Sequence, residues 1–386
     1  MGTQETLVTP ENIQNKLDNI RPGDIVVFSP GLYTAPLLLK DKYGTSEAPI
    51  RLIAEAGAII TMYNQGLKSC TEIEFFEQHR LRANKVAKGI QDMGKFPKTT
   101  NAIHDAMFTL DNSEHISLEG FMFEKTWPTH VFINNCRHIS VTNCEFRDGT
   151  FAVGASGENT HDIHIQSCSW VQDTISGRMW SEIEWKRIHG DIPEHNVDVK
   201  NDFRLFDGSF FRGKSIAGDV TISKCKIHSA FNAIRLTRHG PNSNMLSHNI
   251  LVHDCSFYEI KDNILEPEEG GSNWTFKNNI IEKSYRPIAL ETKQKGRYKN
   301  FLIQGNAFDL RDKPGPPTET HDKPAVFKVT SLDSITDCSV IFTKNTIYAD
   351  RLVSSNISGS DLQKVNKILL REPNELHLLN GVHNQS

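Results

Sequence analysis

"HISVTNCEF" (138–146) returns 24 residues later as "DIHIQSCSW" (162–170). Both are apolar at the second and fourth positions, then polar, with Cys seventh and an aromatic ninth. Six more segments fit the same template: "HISLEGFMF" (115–123), "DVTISKCKI" (219–227), "NILVHDCSF" (249–257), "NWTFKNNII" (273–281), "NFLIQGNAF" (300–308) and "SVIFTKNTI" (339–347). The seventh position runs Phe121, Cys144, Cys168, Cys225, Cys255, Asn279, Asn306, Asn345. The shortest intervals are 23 and 24 residues. That period is one coil of a right-handed parallel β-helix, in which each coil supplies short strands to long sheets and like residues stack on like. Asn at a recurrent turn is suited to the left-handed conformation and to bonding the next coil. Cys is small enough for the same inward corner. Leucine-rich repeats would show Leu-x-x-Leu-x-Leu, and a propeller blade needs about 40 residues.

The fold class is therefore all-β, with residues 1–386 read as one solenoid domain. "TPENIQNKLDNI" (9–20) predicts an N-terminal capping helix, Thr9 its N-cap, Pro10 its first residue, and Ile13, Leu17 and Ile20 its apolar face. Such a helix would cover the strand edges of the first coil. Residues 71–95 and 171–200 interrupt the period as insertions, and 309–323 form a Pro-rich loop. After 350 the pattern fades into a C-terminal cap or tail, 350–386, with 372–386 loosely attached.

A second strand follows each repeat. "FNAIRLTR" (231–238), "DNILEPEE" (262–269) and "RPIALETK" (286–293) align on Ile234, Ile264 and Ile288, after "THVFINN" (129–135) and "TFAVGAS" (150–156). Adjacent coils lie about 4.8 Å apart. Arg235 and Arg238, then Glu266, Glu268 and Glu269, then Arg286, Glu291 and Lys293 thus form a lateral patch of both charges. A solvated face of ion pairs is the bland account, each pair worth about 0–1 kcal/mol. Solenoids also bind extended polymers on such faces. In the decapeptide 231–240, Ile234 and Leu236 should point inward and Arg235 outward, with Arg238 at the strand end.

The net charge of −4 gives no bulk attraction to nucleic acid. No apolar run is long enough to span a membrane. "MGTQETLVTPEN" has no apolar core of a signal peptide. Seven cysteines without CxxC spacing indicate neither a disulfide framework nor a zinc site.

Two stretches resemble a known family. "ENIQNKLDNIRPGDIVVFSPGLYTAPLLLKDKYGTSEAPIRLIAEAG" (11–57) resembles the opening of the β-helical alginate lyases and chondroitinase B, polysaccharide lyase family six. "GKS" and "RLTRHG" resemble that family's Lys-Ser pair and its later Arg-His-Gly strand. The resemblance implies a pectate-lyase-like solenoid with Lys214 as base and Arg238 as acid. The Lys-to-Arg gap is a few residues longer here. The family sets two acidic calcium ligands before the Lys; here Asp207 matches one and Ser209 replaces the other. Calcium is therefore in question as a cofactor, and Arg204 or Arg235 would supply the positive charge instead.

Such an enzyme removes the C5 proton of a uronate and expels the 4-linked sugar. It needs a cation for the carboxylate, a base, and a proton donor for the leaving oxygen. Lys214, Asn232, Arg235, Arg238 and His239 supply these types, with Arg204, Glu266, Glu268, Arg286 and Glu291 as further substrate contacts. The expected partner is an anionic polysaccharide such as alginate, and the expected compartment secreted or periplasmic. Two other readings stay open. Glu266 and Glu291, near one column, could serve an inverting glycosidase, whose carboxylates stand about 6.5–9.5 Å apart. A non-catalytic carbohydrate-binding or adhesin solenoid would use exposed aromatics.

Overall fold

The computed structural model describes residues 5–61, 103–104, 106–124, 126, 128–172, 182–189, 207–237, 247–292, 294–317, 324–354, 357 and 359–378. Three parallel sheets run along it, of eleven, eleven and ten strands. Sheet A takes the first half of each repeat, from Glu114–Glu119 and Arg137–Thr142 to Val340–Thr343. Sheet B takes the second half, and sheet C the strand that follows. This is the coil the repeat predicts, and the chain is a right-handed parallel β-helix.

The apolar second and fourth positions stack by type. Ile139 pairs with Ile116 and Ile163, and Val141 with Leu118 and Ile165. Trp274 stacks on Phe301 with ring centroids 5.4 Å apart and planes nearly parallel. Alternation puts these inside and their neighbours outside, so every coil adds one layer to a continuous core.

The seventh position forms one internal column, as expected. Cys144, Cys168, Cys225 and Cys255 are buried, each thiol donating to the carbonyl two residues earlier at 3.3–3.4 Å. The Cys255 N–H then donates to Asn279 Oδ1 at 2.9 Å, Asn279 N–H to Asn306 Oδ1 at 2.9 Å, and Asn306 N–H to Asn345 Oδ1 at 2.9 Å. Asn374 continues this ladder, accepting from Asn345 N–H at 3.1 Å. The left-handed residue is not this Asn but the one before it: Asn143, Ser167, Lys224, Asp254, Asn278 and Lys344 have φ of 54–57°. That turn lets the next side chain point inward, where amide or thiol can reach the neighbouring coil.

The capping helix is shorter than expected. It spans Ile13–Asp18 with Asn12 as N-cap, because Thr9–Asn12 form a turn first and the Thr9 N–H donates to Asn12 Oδ1 at 2.9 Å. Ile13, Leu17 and Ile20 are buried as read. Gln14 seals the sheet C edge: its amide donates to Leu38 C=O at 3.0 Å and accepts from Leu38 N–H at 3.1 Å. Two exposed ladder groups of the edge strand Leu37–Lys40 are thereby satisfied.

The insertion at 71–95 lies outside the described residues. Of 171–200, the described part holds a short helix, Trp185–His189. Its segment buries Ile183 and Ile188 and sets Trp185 6.1 Å from Phe231. Beyond 350 the solenoid does not simply fade. Arg351–Val353 completes sheet C, the amphipathic helix Gly359–Leu369 buries Val365 and Leu369, and Glu375–Leu378 adds the last strand of sheet B. The weak sequence period there reflects a helix replacing a strand. No helix among the described residues is long and apolar enough to cross a membrane.

Candidate active site

Sheet C carries the charge. In the strand Ser209–Lys214, Phe211 and Gly213 face the core, so Arg212 and Lys214 face outward. The next strand, Asn232–Thr237, pairs Arg235 with Arg212 and Thr237 with Lys214. The strand Leu265–Pro267 then pairs Glu266 with Arg235. Toward the N-terminus the same outward column reads Gly154, Phe132, Thr109 and Leu38. The charge therefore begins at Arg212, one coil above an apolar cluster of Ile103, Phe132 and Phe151.

Ile234 and Leu236 point inward and Arg235 outward, as the alternation requires. The middle coil is shifted by one residue from the sequence alignment. Ile234 pairs with Leu265, not Ile264, and Leu265 with Ile288. A one-residue shift changes every side chain's face, and here it brings Glu266 onto the arginine face. Continuing that register puts Ala289 beside Glu266 and sets Glu291 two positions further along. Glu266 and Glu291 therefore do not share a column.

Arg235 is held by three carboxylates. Its Nε lies 3.0 Å from Glu266 Oε2 and its Nη1 3.4 Å from Asp207 Oδ1, while Glu268 Oε1 contacts both Nε and Nη2. Burial disfavours its charge, but Glu266, Glu268 and Asp207 outweigh that and hold it firmly protonated. Arg212 is almost fully buried, with Nη1 3.6 Å from Glu268 Oε1. Burial and then Arg235 weaken its hold on the proton. Burial pushes the Glu266 carboxyl up to about 8; Arg235 pulls against this, and Glu268 and Asp262 add to it. Lys214, at the outer end of its strand, has its ammonium disfavoured by partial burial and then by Arg212. A second cluster adjoins: Lys328 Nζ lies 3.0 Å from Glu291 Oε2 and 3.7 Å from Asp262 Oδ1.

The structure thus brings together Lys214, Arg235, Glu266, Glu268 and Asp207, with Glu291 at the margin. Asn232 is elsewhere. It is 1% exposed, and its Oδ1 accepts from the Asn263 N–H at 2.9 Å, a bond between coils that leaves it no outward reach. Arg286 sits before the strand Ile288–Leu290, its carbonyl accepting from Asn263 Nδ2 at 2.7 Å. Arg204, Arg238 and His239 lie outside the described residues. Sequence reading missed Arg212, Asp262 and Lys328. Arg212 was legible in principle, two residues before Lys214 in an alternating strand. Lys328 follows the Pro-rich loop, which hides its register.

The Asp207 carboxylate faces Arg235 and Ser209 is fully buried, and among the described residues no group of three His, Cys, Asp or Glu side chains is placed to hold a metal ion.

No family model matches the chain and no curated protein does. Solved structures do. The chain is 13% identical to a mannuronic acid specific polysaccharide family 6 lyase from human gut microbiota, with 92% of this chain and 77% of that one covered and a TM-score of 0.54. It is 12% identical to an alginate lyase from Paenibacillus sp. str. FPU-7, over 92% and 99%, with a TM-score of 0.48. It is 10% identical to a family 28 exopolygalacturonase from Yersinia enterocolitica, over 92% and 76%, with a TM-score of 0.47. At 13% identity, what the chain shares with the family 6 lyase is the fold, and its function has to be argued from its own sheet C.

Proposed function

We propose that the protein degrades a uronate-containing polysaccharide by β-elimination, with Lys214 as base. The observation that carries this reading is Lys214 itself. It is an amine at the end of an outward strand, less basic than an ordinary lysine because of burial and the Arg212 charge, beside a row of cations. Its Nζ would take the C5 proton, the electron pair would form the C4–C5 double bond, and the C4–O bond would break. The resemblance gives Arg238 the role of protonating the leaving oxygen. The mannuronic acid specificity of the structural neighbour favours alginate among the polyuronates. A polymer substrate implies a secreted or periplasmic site of action.

A second reading has one observation in its favour. Glu266, whose carboxyl is pushed up to about 8, has the protonation of a glycosidase acid, and Lys328 pairs with the carboxylate of Glu291. A panel of polyuronates separates the two. Elimination yields an unsaturated sugar with ultraviolet absorbance; hydrolysis yields reducing ends without it. Binding with neither product would overturn both.

A further inference from the structure

We propose that Arg212 and Arg235 form a cradle for one substrate carboxylate, and that Glu268 occupies this cradle in the free protein and is displaced on binding. The proposal rests on the uronate reading above.

Arg212 and Arg235 are register partners on adjacent strands, which lie about 4.8 Å apart, and their like charges disfavour one another. An anion between them stabilises such a pair. Glu268 Oε1 is that anion, but it serves the two arginines unequally. It contacts Arg235 through both Nε and Nη2. It stands 3.6 Å from Arg212 Nη1, beyond hydrogen-bond length. Arg212 Nη1 is buried and has no hydrogen-bond partner. A guanidinium does not deprotonate, so the unmet donor is costly and calls for an explanation.

A ligand carboxylate between the two arginines supplies that explanation, since one oxygen could serve each. Glu268 is built to leave. It follows the strand Leu265–Pro267 directly, in the turn that ends at Gly270, and its side chain is 23% exposed. Its Oε1 lies against the Nη1 of Arg212, whose own side chain is 3% exposed. When it swings out, Arg235 keeps Glu266 and Asp207, so the cradle stays charged and oriented. The exchange replaces one carboxylate with another, so the charge balance of the sheet is unchanged.

The test is binding of mannuronate and galacturonate tetrasaccharides, and of their carboxyl-reduced neutral counterparts, by calorimetry. Glu268→Gln keeps the shape and removes the competitor. It should tighten the charged sugars about tenfold, roughly one charge-assisted hydrogen bond, and leave the neutral ones unchanged. Arg212→Lys should weaken the charged sugars about tenfold and raise KM more than it lowers kcat. Arg212→Lys alters a buried site, so Glu268→Gln, on a partly exposed turn, decides the matter. Weaker or unaltered binding by a Glu268→Gln protein of normal melting temperature would overturn the cradle, as would no binding of either charged sugar by any variant. Tighter binding without cleavage would uphold the cradle and sink the lyase. Cleavage with unaltered Glu268→Gln binding would do the reverse.

Discussion

The Lys328 ammonium lies 3.7 Å from the Asp262 carboxylate, although a whole coil separates theirs. Ala289 lies beside Lys328 on the intervening coil. It is the register neighbour of Lys328, and its methyl leaves the path across the sheet open. Ala289→Leu should fill that path, separate Lys328 from Asp262, and cost about 1–3 kcal/mol of stability, read as a fall in melting temperature.

Lys214→Ala should reduce turnover of the cleaved polyuronate by about 100-fold or more with little change in melting temperature. Arg238→Ala should do likewise if it is the proton donor. The wild-type rate should rise with pH along a limb whose midpoint lies below the ordinary lysine value of 10.5, because burial and Arg212 favour the neutral amine. A limb at or above that value, or full activity in Lys214→Ala, would remove Lys214 from the chemistry.

Glu266 makes stability depend on pH in the direction opposite to most carboxylates. Its folded value, about 8, is above the ordinary 4.5, so the folded protein holds this proton more tightly than the unfolded chain. Its contribution is full below about 4.5 and is lost as pH rises through about 8. Glu266→Gln should flatten the decline of melting temperature across that window. An identical decline in both proteins would show that Glu266 is ionised throughout.

Asn306 accepts from the Asn279 N–H and donates to Asn345 Oδ1, both at 2.9 Å and both buried. Asn306→Ala strands the Asn279 N–H and removes the side-chain bonds to Phe276 C=O and Asn345 Oδ1, although Asn345 Oδ1 keeps the Asn306 backbone N–H; it should cost about 3 kcal/mol, measured by denaturant unfolding. Cys225→Ala should cost less, since the Cys225 thiol donates a weak bond and its sulfur anchors no such amide chain.

The fold was legible because the repeat is written in residues that a coil constrains hardest. Ile139 and Val141 must point inward, and Cys144 must fit a corner, so similar residues recur at fixed intervals. The site was legible only in part, for the same reason reversed. Outward positions are free to differ, so Arg212 has Gly154 on one side and Arg235 on the other, with no motif to mark it. The Ile264 misalignment had a physical source too. Ile264 and Leu265 are both buried, so hydrophobicity could not choose between them, and the turn before the strand decided. The buried bond of Asn232 between coils was not legible, because an amide that ties coils together reads in sequence like one that faces outward.

The amide ladder has a direction. The N–H of Cys255 waits on Asn279, that of Asn279 on Asn306, that of Asn306 on Asn345, and that of Asn345 on Asn374. In each case the acceptor belongs to the coil synthesised later. A chain emerging from the ribosome therefore always carries one unmet corner at its growing end, until the following coil arrives to close it. The Asn345 N–H is met by Asn374, which follows the helix Gly359–Leu369 in the chain, so a chain cut before residue 374 would leave that donor unmet.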